Sequence, residues 1–265
     1  MPEGHTVRRQ AREHDKLFRG HRLHVSSPQG RFAEGAALLD GRTLDGTDAY
    51  GKHLWLRFAG DLLLHVHLGL YGTWLFGPEP APAPVGALRV RLEGGGAFAD
   101  LRGATACEVH TPGDRRAVVA RLGPDPLRPR HDPAKAFARV TRSRSPVGLL
   151  LMDQTVAAGV GNVYRAEVLY RAGIDPHRAG RLVTRDEWDA LWADLVTLMR
   201  AGVRTGRIVT TRPQDRDRVS GRARREDSHY VYRRTGLPCR VCGTPVAHEV
   251  MGARNLFWCP RCQPG

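Results

Sequence analysis

Three short stretches in the first part of the chain share one texture. His53–Phe58 (HLWLRF), Leu62–Leu68 (LLLHVHL) and Leu88–Leu92 (LRVRL) alternate apolar and polar positions with a period near two, and Gly-rich turns such as Phe58-Ala59-Gly60-Asp61 and Gly94-Gly95-Gly96 bound them. Such runs predict strands, and several short strands at this spacing predict a sandwich or a barrel over roughly the first hundred residues. Pro78–Pro84 (PEPAPAP) has no amide donors at its prolines for a central strand or a helix, so it reads as a stiff surface loop.

From Thr111 to Arg130 the pattern changes, with Pro112, Gly113, Pro124, Pro126 and Pro129 punctuating a link into helical territory. Beyond it, Val147–Gln154 predicts a short apolar helix. Asn162–Ala172 (NVYRAEVLYRA) predicts another, ended by Gly173 and Pro176. The clearest helix spans Thr184–Ala201: Thr184 and Glu187 have capping-box spacing, and Trp188, Leu191, Trp192, Leu195, Leu198 and Met199 form one apolar stripe. Both tryptophans therefore belong to a core. Between Arg200 and Arg225 nine arginines stand against two aspartates, with Gly and Pro breaking any period. This reads as a mobile basic loop that either tracks a phosphate backbone or is simply solvated.

Composition narrows the class. The 265 residues suit about two domains, and 41% hydrophobic content excludes a disordered basic tail. No apolar run approaches the roughly 20 residues of a membrane span. The start, MPEGHTVRRQ, lacks the form of a secretory signal, so a cytoplasmic, nucleoid-associated protein is expected. The formal charge is +14, and since only Lys16, Lys52 and Lys135 are lysines, nearly all of the 41 cationic side chains are arginine. That excess points to an anionic polymer partner, because phosphate neutralisation releases counterions. A surface coat of arginines without a task is the alternative.

Both ends of the chain carry chemistry. Cys239-x-x-Cys242 and Cys259-x-x-Cys262, 16 residues apart, have the spacing of a four-thiolate zinc site. Four thiolates leave no open position, so the ion is structural, and in a small terminal module it contributes on the order of 10 kcal/mol to folding. A disulfide pair or a redox dithiol is the other reading of these cysteines. His248 lies between the knuckles as a surface or packing residue, and Cys107 stands apart as a buried small hydrophobe. At the other end, trimming of Met1 before proline leaves a secondary amine at Pro2 beside the Glu3 carboxylate. An α-amino group titrates near roughly 8 against roughly 10.4 for lysine, so more of it is neutral and nucleophilic at pH 7.

Four segments converge in order: the N-terminal PEG, GKHLWL, DQTVAAGVGNVYRAEVLYRAGIDP, and the closing GARNLFWCPRCQ. Together they resemble the bacterial formamidopyrimidine-DNA glycosylase and endonuclease VIII family of base-excision repair enzymes, over essentially the whole chain. The resemblance implies an α+β multidomain fold. Its parts are a β-sandwich catalytic domain with an N-terminal helix (1–112), a linker (113–130), a helix-two-turn-helix DNA-binding domain with the basic loop (131–225), and a C-terminal zinc finger or ribbon (226–265). It implies a monomer acting on damaged double-stranded DNA, with one zinc ion on Cys239, Cys242, Cys259 and Cys262.

By the same resemblance, Pro2 is the nucleophile that attacks C1′ and forms a Schiff base, and Glu3 is the acid that assists sugar opening and base departure. Lys52 binds phosphate and donates a proton. Asn162, following Gly159-Val160-Gly161 at a helix start, contacts the phosphate beside the flipped nucleotide, and Arg254 grips the same phosphates and is linked to the second elimination. Leu70 and Tyr71 are the wedge residues that fill the gap in the duplex. Two departures stand out. Gly69-Leu70-Tyr71 replaces the Gln-Leu-Tyr of the endonuclease VIII pattern, and Leu256 replaces a threonine found in many members and is read as packing. MPEGHTV and HLGLYG favour the endonuclease VIII branch, hence oxidised pyrimidines, over a purine glycosylase acting on 8-oxoguanine. A non-catalytic lesion-binding protein and a transcription-associated zinc-ribbon protein are the rivals from other classes.

Overall fold

Val7, Ala11, His14 and Phe18 recur at helical spacing and form the buried stripe of α1 (Gly4–Phe18). The computed structural model describes residues 2–265, which fall into two units divided between Arg121 and Leu122. In the first unit α1 is followed by β1 (His24–Ser26), α2 (Ala33–Leu39), β2 (Leu44–Tyr50), β3 (His53–Phe58), β4 (Leu62–His67), β5 (Thr73–Pro78), β6 (Leu88–Gly94), β7 (Ala97–Arg102), β8 (Ala106–His110) and α3 (Pro112–Ala120). The strands make two antiparallel four-stranded sheets, ordered β1-β6-β7-β5 and β2-β3-β4-β8. Their inner faces form a β-sandwich core: Leu54, Leu56, Phe58, Leu64 and Val66 from one sheet, Val90, Leu92, Ala99 and Leu101 from the other.

The alternation along β3 and β4 is only partial in hydropathy because the second face is buried too. Trp55 and His65, facing away from the sandwich core, are almost as buried as the leucines beside them. β5 is an edge strand, so Pro78 at its end costs no central ladder bond. The proline-rich loop after it is tied down from the sheet. Arg91 and Asp100, opposite one another on β6 and β7, form a buried bidentate ion pair (2.7 and 2.9 Å), and the remaining Arg91 nitrogen donates to the Pro82 carbonyl at 2.7 Å.

α3 occupies the start of the expected 113–130 link. Thr111 and Asp114 form a reciprocal capping box and Pro112 sits in the first turn, so this proline opens a helix where the chain was read as a connector. The division between units falls after it, between Arg121 and Leu122.

The second unit contains α4 (Pro133–Val140), α5 (Val147–Leu150), α6 (Asn162–Arg171), α7 (Arg185–Thr205), and the hairpin of β9 (Ala247–Met251) and β10 (Arg254–Trp258). Trp188 and Trp192 lie in its helical core with their indole N–H groups bonded to the Pro133 carbonyl and to His131. The Thr184–Glu187 box starts α7, which runs past the expected end to Gly206 in the left-handed conformation (φ 73°). α5 is shorter than its apolar run, because the Asp153 carboxylate accepts from the Thr155 amide and turns the chain. The basic segment after Arg200 is not a free loop throughout. Its first residues complete α7, and Thr210 and Thr211 are buried, the Thr210 amide donating to the Ser228 carbonyl and the Thr211 hydroxyl to the Asp227 carbonyl. Among the described residues no helix is long and apolar enough to cross a membrane.

His14 is fully buried. Its Nδ1 donates to the Gln10 carbonyl at 2.8 Å, and its ring meets Trp74 and Phe76 edge-on. Burial lowers its pKa to about 4, against which the bond to Gln10 is a smaller, opposing effect. The folded state therefore refuses a proton that the unfolded chain takes up near pH ~6.5, so this residue's contribution is intact above that pH and is lost as the pH falls toward 4. Urea unfolding between pH 7 and 4.5 is expected to lose about 1.4 kcal/mol per unit less in His14→Phe than in the native protein below pH ~6.5. Parallel slopes would show that the imidazole does not titrate with unfolding.

Candidate functional site

In the first unit Glu3 is the N-cap of α1. Its backbone carbonyl accepts from Thr6 and Val7, and the residue is completely buried (0% exposed), with Pro2 half-buried before it. α1 packs along β2 and β3. Those strands are joined by the two-residue turn Gly51-Lys52, in which Gly51 has φ 57° and Tyr50 pairs with His53, as in a type II′ hairpin turn. Lys52 thus sits at the tip joining the strands that carry the helix.

An imidazole cluster flanks it. His53 and His67 are cross-strand partners, their rings edge-to-face at 4.9 Å, and His53 Nδ1 lies 2.9 Å from His65 Nε2. Burial and then mutual repulsion hold His53 and His65 down to about 3; burial and the Lys52 charge lower His67. At neutral pH these rings are uncharged, so they add no positive charge beside Lys52. His5 is likewise pushed down by burial, to about 4.

Leu70 and Tyr71 follow β4 in a turn and are exposed, Tyr71 by 84%. Two bulky apolar side chains at a tip are available to a partner surface. Gly69 before them has φ 66°, and a Cβ there would stand 1.8 Å from Thr105 Oγ1.

In the second unit α6 is buried along Asn162–Tyr170, polar residues included. Gly161 takes the N-cap, so no side chain caps the helix. The Asn162 amide donates to the Asn255 carbonyl at 2.8 Å, Arg165 donates to both Asn162 Oδ1 and that carbonyl, and Asn255 is the neighbour of Arg254. The structure therefore brings Asn162 and Arg254 together through one residue of β10. Arg254 itself is exposed, at the end of the tight Gly252-Ala253 turn.

Glu167, on the same helix, had no signal in the sequence. Its carboxylate is fully buried and accepts four bonds, from the amides of Tyr230, Val231 and Tyr232 (2.8, 2.9 and 2.8 Å) and from the Thr210 hydroxyl. His67 and Arg165 were also missed. The histidines are scattered among twelve and the arginine among dozens, and only the folded chain gives them neighbours.

The four cysteines converge. Sγ–Sγ separations are 3.8 Å (Cys239–Cys262) and 3.5 Å (Cys242–Cys259), and all four sulfurs lie within 4.8 Å of one another. Tetrahedral Zn–S bonds of about 2.3 Å place sulfurs about 3.8 Å apart, so the donor set fits one zinc ion. Cys107 is far from this set in sequence, buried in the sandwich core, its thiol pushed up to about 12 by burial. The ribbon does not fold around its metal alone. Ala166 and Tyr170 of α6 share a hydrophobic cluster with Val246, Phe257 and the cysteines, and the Tyr170 hydroxyl lies 3.2 Å from Cys239 Sγ.

Comparison with known proteins matches each part. The formamidopyrimidine-DNA glycosylase N-terminal domain covers residues 1–107, that enzyme's H2TH domain covers 122–214, and the zinc finger found in FPG and IleRS covers 236–265. The chain is 50% identical to Endonuclease 8 1 of Mycobacterium tuberculosis over 99% of its own length and 100% of that protein's. The chain belongs to the formamidopyrimidine-DNA glycosylase and endonuclease VIII family. A formamidopyrimidine-DNA glycosylase of Thermus thermophilus is 34% identical over 99% of this chain and 97% of that one. The Lactococcus lactis Fpg, solved in complex with DNA containing an abasic site, shares the fold with a TM-score of 0.83 at 20% identity, covering 99% of this chain and 100% of that one.

Within this family the departure at Gly69 has a steric reason, since glutamine there needs both a left-handed backbone and the space of the Thr105 hydroxyl. Leu256, on β10, is fully buried. Two outcomes follow. Gly69→Gln is expected to lower the melting temperature by several degrees and to distort the Leu70–Tyr71 turn, seen as lost amide protection there; an unperturbed turn would refute the clash. Glu167→Gln, which keeps one acceptor oxygen and turns an NH2 group toward the two donors of the other, is expected to cost about 2–4 kcal/mol in chemical unfolding of the zinc-loaded protein. A cost below about 0.5 kcal/mol would show that the carboxylate is not what holds these segments.

Proposed function

We propose that the chain excises oxidised pyrimidines from double-stranded DNA, through a Schiff base at Pro2, and cuts the strand by β- and then δ-elimination. Its class, a base-excision repair DNA glycosylase and AP lyase with a zinc finger, follows from family membership along the whole chain. The pyrimidine branch rests on one observation, the 50% full-length identity to a protein named Endonuclease 8 1 beside 34% to a formamidopyrimidine enzyme.

In this reading the Pro2 amine attacks C1′ of the damaged nucleotide while Glu3, withheld from water, delivers a proton as the sugar ring opens and the base departs. Lys52 neutralises a phosphate near the lesion, and the uncharged imidazoles beside it leave its charge undiluted. Asn162 and Arg254 hold the phosphates flanking the flipped nucleotide, and Leu70 and Tyr71 fill the gap left in the duplex. The four thiolates would hold one zinc ion, which supplies rigidity to the hairpin bearing Arg254. The natural setting for this work is the cytoplasm, on the nucleoid.

Incubation with abasic-site duplex followed by borohydride is expected to give a covalent adduct mapping to Pro2 in properly trimmed, zinc-loaded protein, and none when Met1 is retained. An adduct with a proven blocked terminus would refute the nucleophile. Dihydrouracil or thymine glycol is expected to be released faster than 8-oxoguanine opposite cytosine, and the reverse order would move the chain to the purine branch.

A further inference from the structure

The outer face of the second sheet carries a group of ligating side chains that the proposed repair chemistry does not use. His65 on β4 is paired directly with Glu108 on β8, and His110 follows two residues later on the same face of β8. His65 Nδ1 stands 3.6 Å and His110 Nε2 3.2 Å from the same oxygen, Glu108 Oε2, and the three ligand atoms lie within 4.8 Å of one another.

Hydrogen bonding alone leaves this group incomplete. His65 is 4% exposed, and its Nδ1 is buried without a hydrogen-bond partner, since 3.6 Å is too long for an imidazole–carboxylate bond. Its other nitrogen is engaged with His53 Nδ1 at 2.9 Å, which fixes the plane of the ring and leaves Nδ1 aimed at the carboxylate. Metal-ligating histidines are characteristically held this way, by a bond at the nitrogen opposite the ion. A tetrahedral ion with bonds of about 2.0–2.1 Å to nitrogen and oxygen sets its ligands about 3.3 Å apart, between the two separations observed. Glu108 is exposed, so the site has an entry path and room for a water as a further ligand.

We propose that His65, Glu108 and His110 form a second metal site, which takes a divalent transition-metal ion of the zinc class. Two imidazoles and one carboxylate with an open position suit zinc, nickel or copper, whereas calcium and magnesium favour an all-oxygen shell. The ion gives His65 Nδ1 the partner it lacks, neutralises Glu108, and cross-links β4 to β8. The site uses none of the ribbon's four cysteines.

Full-length protein dialysed against low-micromolar Zn²⁺, with bound metal measured by plasma mass spectrometry, is expected to hold two ions per chain. Glu108→Gln and His110→Gln, both changed at accessible side chains, are expected to hold one, with the ribbon's ion retained. One ion in the native protein, or two in both variants, would overturn the assignment. As a second readout, Co²⁺ added to ribbon-loaded protein is expected to give the weak visible absorption of nitrogen and oxygen coordination, lost in Glu108→Gln. A thiolate-to-cobalt band with no such absorption would overturn it equally.

Discussion

The second unit is organised around one buried carboxylate. Glu167 lies in the middle of α6 and gathers the three consecutive amides of Tyr230, Val231 and Tyr232 together with the Thr210 hydroxyl. Those partners are 43 to 65 residues away in the chain. A charge in that position is tolerable only because every direction around it is occupied by a donor. The segment that enters the ribbon is thereby fixed to the helix whose first residue, Asn162, is bonded to the ribbon's Asn255. The helix grips the ribbon at both ends, and the exposed Arg254 inherits its place from that grip as much as from the four sulfurs.

The first unit draws an acidic and a basic side chain partly or wholly out of water around the same helix. Burial takes Glu3 out of solvent at the start of α1, while Lys52 stays half-buried at a hairpin turn whose strands support the same helix. The imidazoles of β3 and β4 around it are uncharged because burial and their mutual repulsion exclude protons.

Much of this architecture was legible in the residues. β3 has the bounds that its alternation suggests, α7 begins at its capping box, and the cysteine spacing matches sulfurs that meet. The misreadings share a cause. Pro112 looked like a connector because a proline reads the same before a helix as in a link, and the basic run looked unattached because Thr210 and Thr211 find their partners on remote segments. α1 hides its stripe behind His14, a titratable residue that behaves as an aromatic core side chain once buried. Placement of Asn162, Arg254 and Lys52 came from a family pattern, and Glu167, Arg165 and His67 eluded it because their roles exist only as contacts across the fold.

α6 has one more consequence. Nine successive residues of it, from Asn162 to Tyr170, have no face toward solvent, and Asn162, Arg165, Glu167 and Tyr170 among them are each committed to a partner. A helix with one wet side can drift in sequence along that side at little cost, but this one has no such side. Shortening an apolar residue opens a void and altering a polar one strands a donor or acceptor. The stretch that made the chain's kinship readable is the stretch with the least freedom to mutate.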